Sequence, residues 1–168
     1  LKIGMIGQGA VIEAVADRVA AQATPHRVLD PVMVAKSGDT LLEKSAIGAL
    51  RETLLPVATI ITPNLPEAGV LLEARPVETL KEMYRVAERL RELMPHSGAR
   101  WVYLKGGHLP AADAFDLLTD GDRMIELNAP RIATKNTHGT GCTLSAALAA
   151  LLPQTGDVPE AARQAKAY

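Results

Sequence analysis

Short apolar runs that end in turn residues alternate along this chain with longer stretches of helical periodicity, and that order leaves few folds open. Lys2 to Ile6, Arg27 to Leu29, Thr59 to Ile61 and Arg100 to Leu104 are predicted strands. Stretches near Ala10 to Ala23, Asp39 to Leu55, Leu65 to Leu72 and Val77 to Leu93 are predicted helices. Strand, helix and strand in succession spell βαβ units, in which parallel neighbours are joined by right-handed crossovers. Aromatic residues are only 3% of the chain against 48% hydrophobic residues overall, so the core falls to Val, Leu, Ile and Ala. Helices packed on a buried parallel sheet use that mixture. Ala114 to Thr119 and Arg123 to Leu127 flank Asp120-Gly121-Asp122 and predict a hairpin, expected as an antiparallel edge of the sheet. The expected class is α/β, and the 168 residues fit one domain.

A net charge of −1 provides no basic footprint, which argues against nucleic acid as a partner. No apolar run approaches the roughly 20 residues of a membrane span. The longest, Leu144 to Leu152, is expected to stop at Pro153. With a single cysteine and a strand-like stub at Leu1 to Gly7 instead of a signal peptide, a cytoplasmic location is expected. The chain opens inside a strand and closes inside the helical stretch Pro159 to Tyr168 without a C-cap, so a truncated domain is expected.

The chemistry gathers behind the strands. Lys135 to Cys142 runs straight into the small-residue helix Thr143 to Leu152, with Gly139, Thr140 and Gly141 at the turn. Tight glycine turns aim successive N–H groups at one place, and a helix N-terminus adds the positive end of its dipole, so this is a candidate anion site. Cys142 stands at that end, where the field favours a thiolate for proton or nucleophile chemistry; its alternative is a small buried hydrophobe. His138 adjoins the turn as a binding candidate.

Asp30 and Glu67 follow the second and third strands and are hard oxygen ligands of the kind that hold Mg²⁺ beside phosphates. Asn64 could orient a water or a phosphate oxygen, although Asp30 and Asn64 also suit turns or helix caps. Lys105 follows the fourth strand, where it could offset phosphate charge or simply snorkel, and Gly106 and Gly107 would let the backbone approach a ligand. The carboxyl ends of parallel strands share one rim, which is where ligands bind in such sheets. No P-loop occurs, Gly4 to Gly9 lacks the dinucleotide fingerprint, and His26, His96 and His108 have no zinc-like spacing.

Asp30-Pro31-Val32-Met33-Val34-Ala35-Lys36-Ser37-Gly38, Thr62-Pro63-Asn64-Leu65-Pro66-Glu67-Ala68, Lys105-Gly106-Gly107-His108 and His138-Gly139-Thr140-Gly141-Cys142-Thr143-Leu144-Ser145 together resemble the hydroxymethylpyrimidine/phosphomethylpyrimidine kinases of thiamine biosynthesis, in the ribokinase-like superfamily. The resemblance runs nearly the whole length. It implies a three-layer fold and phosphoryl transfer from ATP, with Mg²⁺, to 4-amino-5-hydroxymethyl-2-methylpyrimidine and then to its monophosphate. It further implies that Cys142 accepts the hydroxyl proton or orients the nucleophile while Gly139, Thr140 and Gly141 frame an anion hole. Asp30 and Glu67 would organise the metal, Lys105, Asn64, Thr137 and His138 would contact the nucleotide, and Met5 and Val32 would contact the pyrimidine. Family members carry an earlier strand and an Asp- and Gly-containing loop that complete the substrate pocket. The 168 residues alone are therefore expected to turn over poorly and, with an open sheet edge, to associate, a homodimer being one form. Pyridoxal kinase is the runner-up and a non-catalytic pyrimidine- or nucleotide-binding module the alternative from another class.

Overall fold

The computed structural model describes residues 1–33, 42–109, 113–133 and 139–168. Its six strands form one sheet in sequence order: β1 (Lys2–Ile3), β2 (Val28–Leu29), β3 (Ile60–Ile61), β4 (Trp101–Lys105), β5 (Asp113–Thr119) and β6 (Met124–Pro130). The first four run parallel, while β4, β5 and β6 pair antiparallel, so the expected hairpin does form one edge. It extends further at its open end than the sequence suggests, because the pairing runs through to Asp113 opposite Pro130, while at the turn the second strand begins at Met124 instead of Arg123.

The first three parallel strands are shorter than expected, and β4 keeps its expected length but is shifted by one residue. β1 stops at Ile3 instead of Ile6, since its neighbour among the described residues, β2, is two residues long and the chain leaves pairing once the Asp30 N–H has bonded to the Ile3 carbonyl. Side chains alternate between two cores. Ile3, Leu29, Ile61, Val102 and Leu104 face the layer made by α1 (Gly9–Ala20), α2 (Lys44–Ala49), the π-helical turn Leu50–Leu54, α3 (Leu55–Val57), α4 (Leu65–Leu72) and α5 (Leu80–Glu92). Val28, Ile60, Trp101 and Tyr103 face α6 (Thr140–Thr155) and α7 (Val158–Ala167). Helices on both faces give the three layers expected.

Local chemistry sets the helix ends. Asn64 and Glu67 form a reciprocal capping box at α4, and Thr79 and Glu82 form another at α5, which moves the start of α5 to Leu80 from the expected Val77. Helix α1 spans Gly9–Ala20, not Ala10 to Ala23, and α2 begins at Lys44; residues 39–41 of the expected helix lie outside the described residues. Pro153 does not stop α6, which continues to Thr155. Pro153 forfeits one bond, the one its N–H would have made to the Ala149 carbonyl, and the helix ends two residues later. Gln154 Nε2 and Thr155 Oγ1 donate to the carbonyls of Ala150 and Leu151, and Gly156, at φ 64°, closes the end on the Leu152 carbonyl.

Candidate active site

The row of side chains facing α6 turns polar where the sheet ends. Val28 and Ile60 pair in register with each other and with Trp101, so two residues further on Asp30, Thr62 and Tyr103 lie side by side on that face, and Lys105 lies one step beyond Tyr103. A stripe of α6, comprising Ser145, Leu148 and Leu152, is buried against the sheet. Continuing that stripe one turn toward the N-terminus reaches Gly141 and Cys142, which overhang the strand tips.

Asp30 is the junction. With 1% of its surface exposed, its Oδ1 accepts from Thr62 Oγ1 at 3.1 Å and from Lys105 Nζ at 3.1 Å, while Oδ2 accepts from Ser145 Oγ at 3.1 Å. A Cβ on Gly141 would sit 2.9 Å from Lys105 Nζ, so the absence of a side chain there lets the ammonium reach the first turn of α6. Gly139 takes φ 79° at the N-cap, a left-handed conformation that glycine adopts without penalty. Cys142 is exposed, which removes the alternative of a buried thiol.

Glu67 is buried beside this junction. Its Oε2 accepts from the Asn64 N–H at 2.8 Å while Asn64 Oδ1 accepts from the Glu67 N–H at 2.9 Å. Burial raises the Glu67 pKa above the ordinary glutamate value, the Lys105 charge and the N–H groups of Asn64 and Met33 oppose that rise, and the nearby Asp30 charge adds to it. Two buried carboxylates thus share one ammonium. That surplus of negative charge on hard oxygen atoms fits a hydrated divalent cation that takes most of its ligands from phosphates and water. Among the described residues no cluster of three or more Asp, Glu, His or Cys side chains is arranged as a protein-only metal cage.

The structure therefore brings together Asp30, Glu67, Asn64, Lys105, Gly141 and Cys142. Met5 is 55% exposed just past β1, and Val32 is half-buried with φ 37°, a strained value for a β-branched residue two positions after Asp30. Thr137 and His138 lie outside the described residues, as do Val34 to Gly38. Gly106 also has a packing use: a Cβ there would stand 2.1 Å from the Phe115 carbonyl oxygen, so the absence of a side chain lets the end of β4 lie close against β5. Sequence reading missed Thr62 and Ser145 as members of the site. The signal for Thr62 was the continued alternation from Ile60, and for Ser145 the helical spacing to Leu148 and Leu152.

A three-layer sheet whose parallel strand tips face a glycine-capped helix N-terminus is the architecture of the ribokinase-like small-molecule kinases, and solved structures of that class superpose on it. A pyridoxal kinase of Staphylococcus aureus in complex with ADP matches with a TM-score of 0.88 at 33% identity, over 99% of this chain and 59% of that one. A phosphomethylpyrimidine kinase of Clostridium difficile matches with a TM-score of 0.83 at 32% identity, over 99% of this chain and 65% of that one. The chain belongs to the phosphomethylpyrimidine kinase family, whose family model matches residues 1–168. It is 48% identical over 167 residues to a hydroxymethylpyrimidine/phosphomethylpyrimidine kinase of Salmonella typhimurium, covering 99% of this chain and 61% of that protein. It is also 43% identical to a thiamine biosynthesis bifunctional protein of Geobacter sulfurreducens, covering 100% of this chain and 33% of that protein. The chain thus spans about three fifths of the length of the curated kinases it matches.

Proposed function

We propose that the polypeptide carrying this chain transfers the γ-phosphoryl group of ATP to the hydroxymethyl group of 4-amino-5-hydroxymethyl-2-methylpyrimidine, and then a second phosphoryl group to the resulting monophosphate. One observation carries the proposal: Lys105, held by Asp30, meets the glycine-capped first turn of α6 at Gly141, with the Cys142 thiol exposed beside it. The residues 1–168 form the kinase domain or the larger part of it. Its partners are small molecules, and a cytoplasmic location suits both its substrates and the lack, among the described residues, of any helix long and apolar enough to cross a membrane.

The roles follow from the chemistry of each group. Lys105 meets phosphate charge and gives up part of its bond to Asp30 as it does so. The N–H groups of Gly139 to Cys142 stabilise charge that grows on the transferred group. The Cys142 sulfur takes the hydroxyl proton or orients the attacking oxygen. Asn64 fixes Glu67, and Glu67 and Asp30 would hold Mg²⁺, chiefly through water. Mg²⁺ supplies neutralisation of phosphate charge when bound. Met5 and Val32 flank the pyrimidine, and Thr137 and His138 flank the nucleotide.

In the full-length polypeptide, Cys142→Ala should lower turnover by about 10²- to 10⁴-fold, the range for a lost general base, with little change in ATP affinity. Turnover at the wild-type rate would remove Cys142 from the chemistry, and ATP binding without turnover in the wild type would leave a binding module. Alkylation of Cys142 should slow when phosphate ligands fill the turn. A pyridoxal kinase reading draws on the 0.88 TM-score, but the 48% identity to a curated pyrimidine kinase weighs against it. Competition between pyridoxal and the hydroxymethylpyrimidine separates the two.

A further inference from the structure

Ser145 is fully buried and touches two parts of the candidate site at once. Its Oγ lies 3.1 Å from Asp30 Oδ2 and 3.0 Å from the backbone carbonyl oxygen of Cys142. A serine in any helix can bond back to a carbonyl one turn earlier; a buried carboxylate as second acceptor is not part of that habit. The hydroxyl has one proton, and the bond to the anion is the stronger of the two choices. An apolar residue would continue the Leu148 and Leu152 stripe equally well, but it would strip Oδ2 of its one side-chain donor among the described residues, at a residue with 1% exposure.

The contacts form a continuous path. Lys105 Nζ bonds to Asp30 Oδ1, Asp30 Oδ2 accepts from Ser145, and Ser145 abuts the carbonyl of Cys142. We infer that Ser145 is a positioning residue for phosphoryl transfer: it fixes the first turn of α6, with the Cys142 thiol and the N–H groups around Gly141, against the Asp30–Lys105 pair. This rests on the kinase reading above. The same ammonium that meets the phosphate is thereby held in register with the sulfur that meets the hydroxyl, through one serine bond between helix and sheet.

The test uses the full-length polypeptide with Ser145→Ala, Ser145→Cys, Asp30→Asn and the Ser145→Ala/Asp30→Asn pair, reading kcat, both KM values, the melting temperature and the rate of Cys142 alkylation. Both serine variants should lower kcat by about ten- to a hundredfold, as misplacement of reacting groups does, with KM for ATP within about threefold of wild type. The double variant should match Asp30→Asn alone in kcat, because both changes act through one carboxylate. Alkylation of Cys142 should change in rate in the serine variants even without substrate. Wild-type kcat and alkylation in a folded Ser145→Ala or Ser145→Cys protein, with only the melting temperature lowered, would overturn the inference and leave a structural hydroxyl. Independent, multiplying losses in the double variant would overturn it too. Failure of the kinase reading is distinct, since it shows as absent pyrimidine turnover in the wild type, and an unaltered alkylation rate then sinks the inference by itself.

Discussion

The hydrogen-bond centre at Asp116 predicts a strong, non-additive response to mutation. Asp116 Oδ1 accepts from the Gly106 N–H at 2.8 Å, and Oδ2 accepts from Tyr103 Oη at 3.0 Å and from Lys166 Nζ at 2.5 Å. The two charged side chains are 11% and 10% exposed, so neither charge has water to fall back on. Burial, then the Asp116 charge and hydrogen bond, hold the Tyr103 phenol far above its ordinary pKa, and it stays a donor at every working pH. Removing one partner of such an ion pair strands the other, which costs about 3–5 kcal/mol, whereas Tyr103→Phe removes one donor to the carboxylate, worth about 1.5–3 kcal/mol.

Asp116→Ala and Lys166→Met should therefore each destabilise by about 3–5 kcal/mol, a large share of the roughly 5–15 kcal/mol that holds a domain folded. At about 2–4 °C per kcal/mol for a chain of this size, each should melt about 6–20 °C lower. The double variant has no stranded charge, so its loss should stay near that of either single change, a coupling of at least about 2 kcal/mol. Urea denaturation followed by circular dichroism on all four full-length proteins gives the cycle. Losses that sum within about 0.5 kcal/mol would refute the reasoning, as would a Lys166→Met protein melting within about 2 °C of wild type.

Gly106→Ala should cost more than the roughly 1–3 kcal/mol of ordinary overpacking, because its Cβ would meet the Phe115 carbonyl oxygen at 2.1 Å and Met83 Cε at 2.9 Å. Gly107→Ala, with nothing within 4 Å, is the control for soluble yield and melting temperature; equal behaviour of the two would contradict the packing argument. Glu67, with its pKa raised in the fold, contributes stability that is present below the ordinary glutamate value of 4.5 and lost as pH rises through its higher folded value. Glu67→Gln keeps the cap and drops the charge, so the variant should gain in melting temperature relative to wild type as pH rises above the ordinary glutamate value, and a constant difference would show the carboxyl to be unperturbed.

The parts of the site that were legible in sequence are those written by local periodicity. Asp30 and Lys105 stand at the ends of apolar runs, and strand tips in a parallel sheet converge by geometry, so their meeting needed no tertiary knowledge beyond the βαβ order. Gly139 was legible for the same reason, as a glycine ahead of a helix, whereas Gly141 and Cys142, read as part of a turn before Thr143, fall in the first turn of α6, which starts at Thr140. Helix ends and strand lengths were less so. Pro153 reads as a stop because propensity considers the residue alone, while the last turn of α6 recovers its carbonyls from Gln154, Thr155 and Gly156.

What sequence could not supply is the identity of partners across long separations. Ser145 and Asp30 are 115 residues apart, and Lys166 and Asp116 are 50 apart. A polar residue in an apolar stripe signals that some buried group awaits it, since burial without a partner costs about 1–3 kcal/mol, yet the stripe does not say which group. The strand face carries the complementary sign: Asp30 and Asp116 each sit on the α6 and α7 side of the sheet at positions where alternation calls for an apolar residue. Matching the two anomalies needs the stacking order of helices on the sheet. Once α6 is laid over β2, the serine at the head of its stripe can meet only the tips of the central strands, and the carboxylate there becomes an anchor for the phosphate-binding turn as well as a potential ligand.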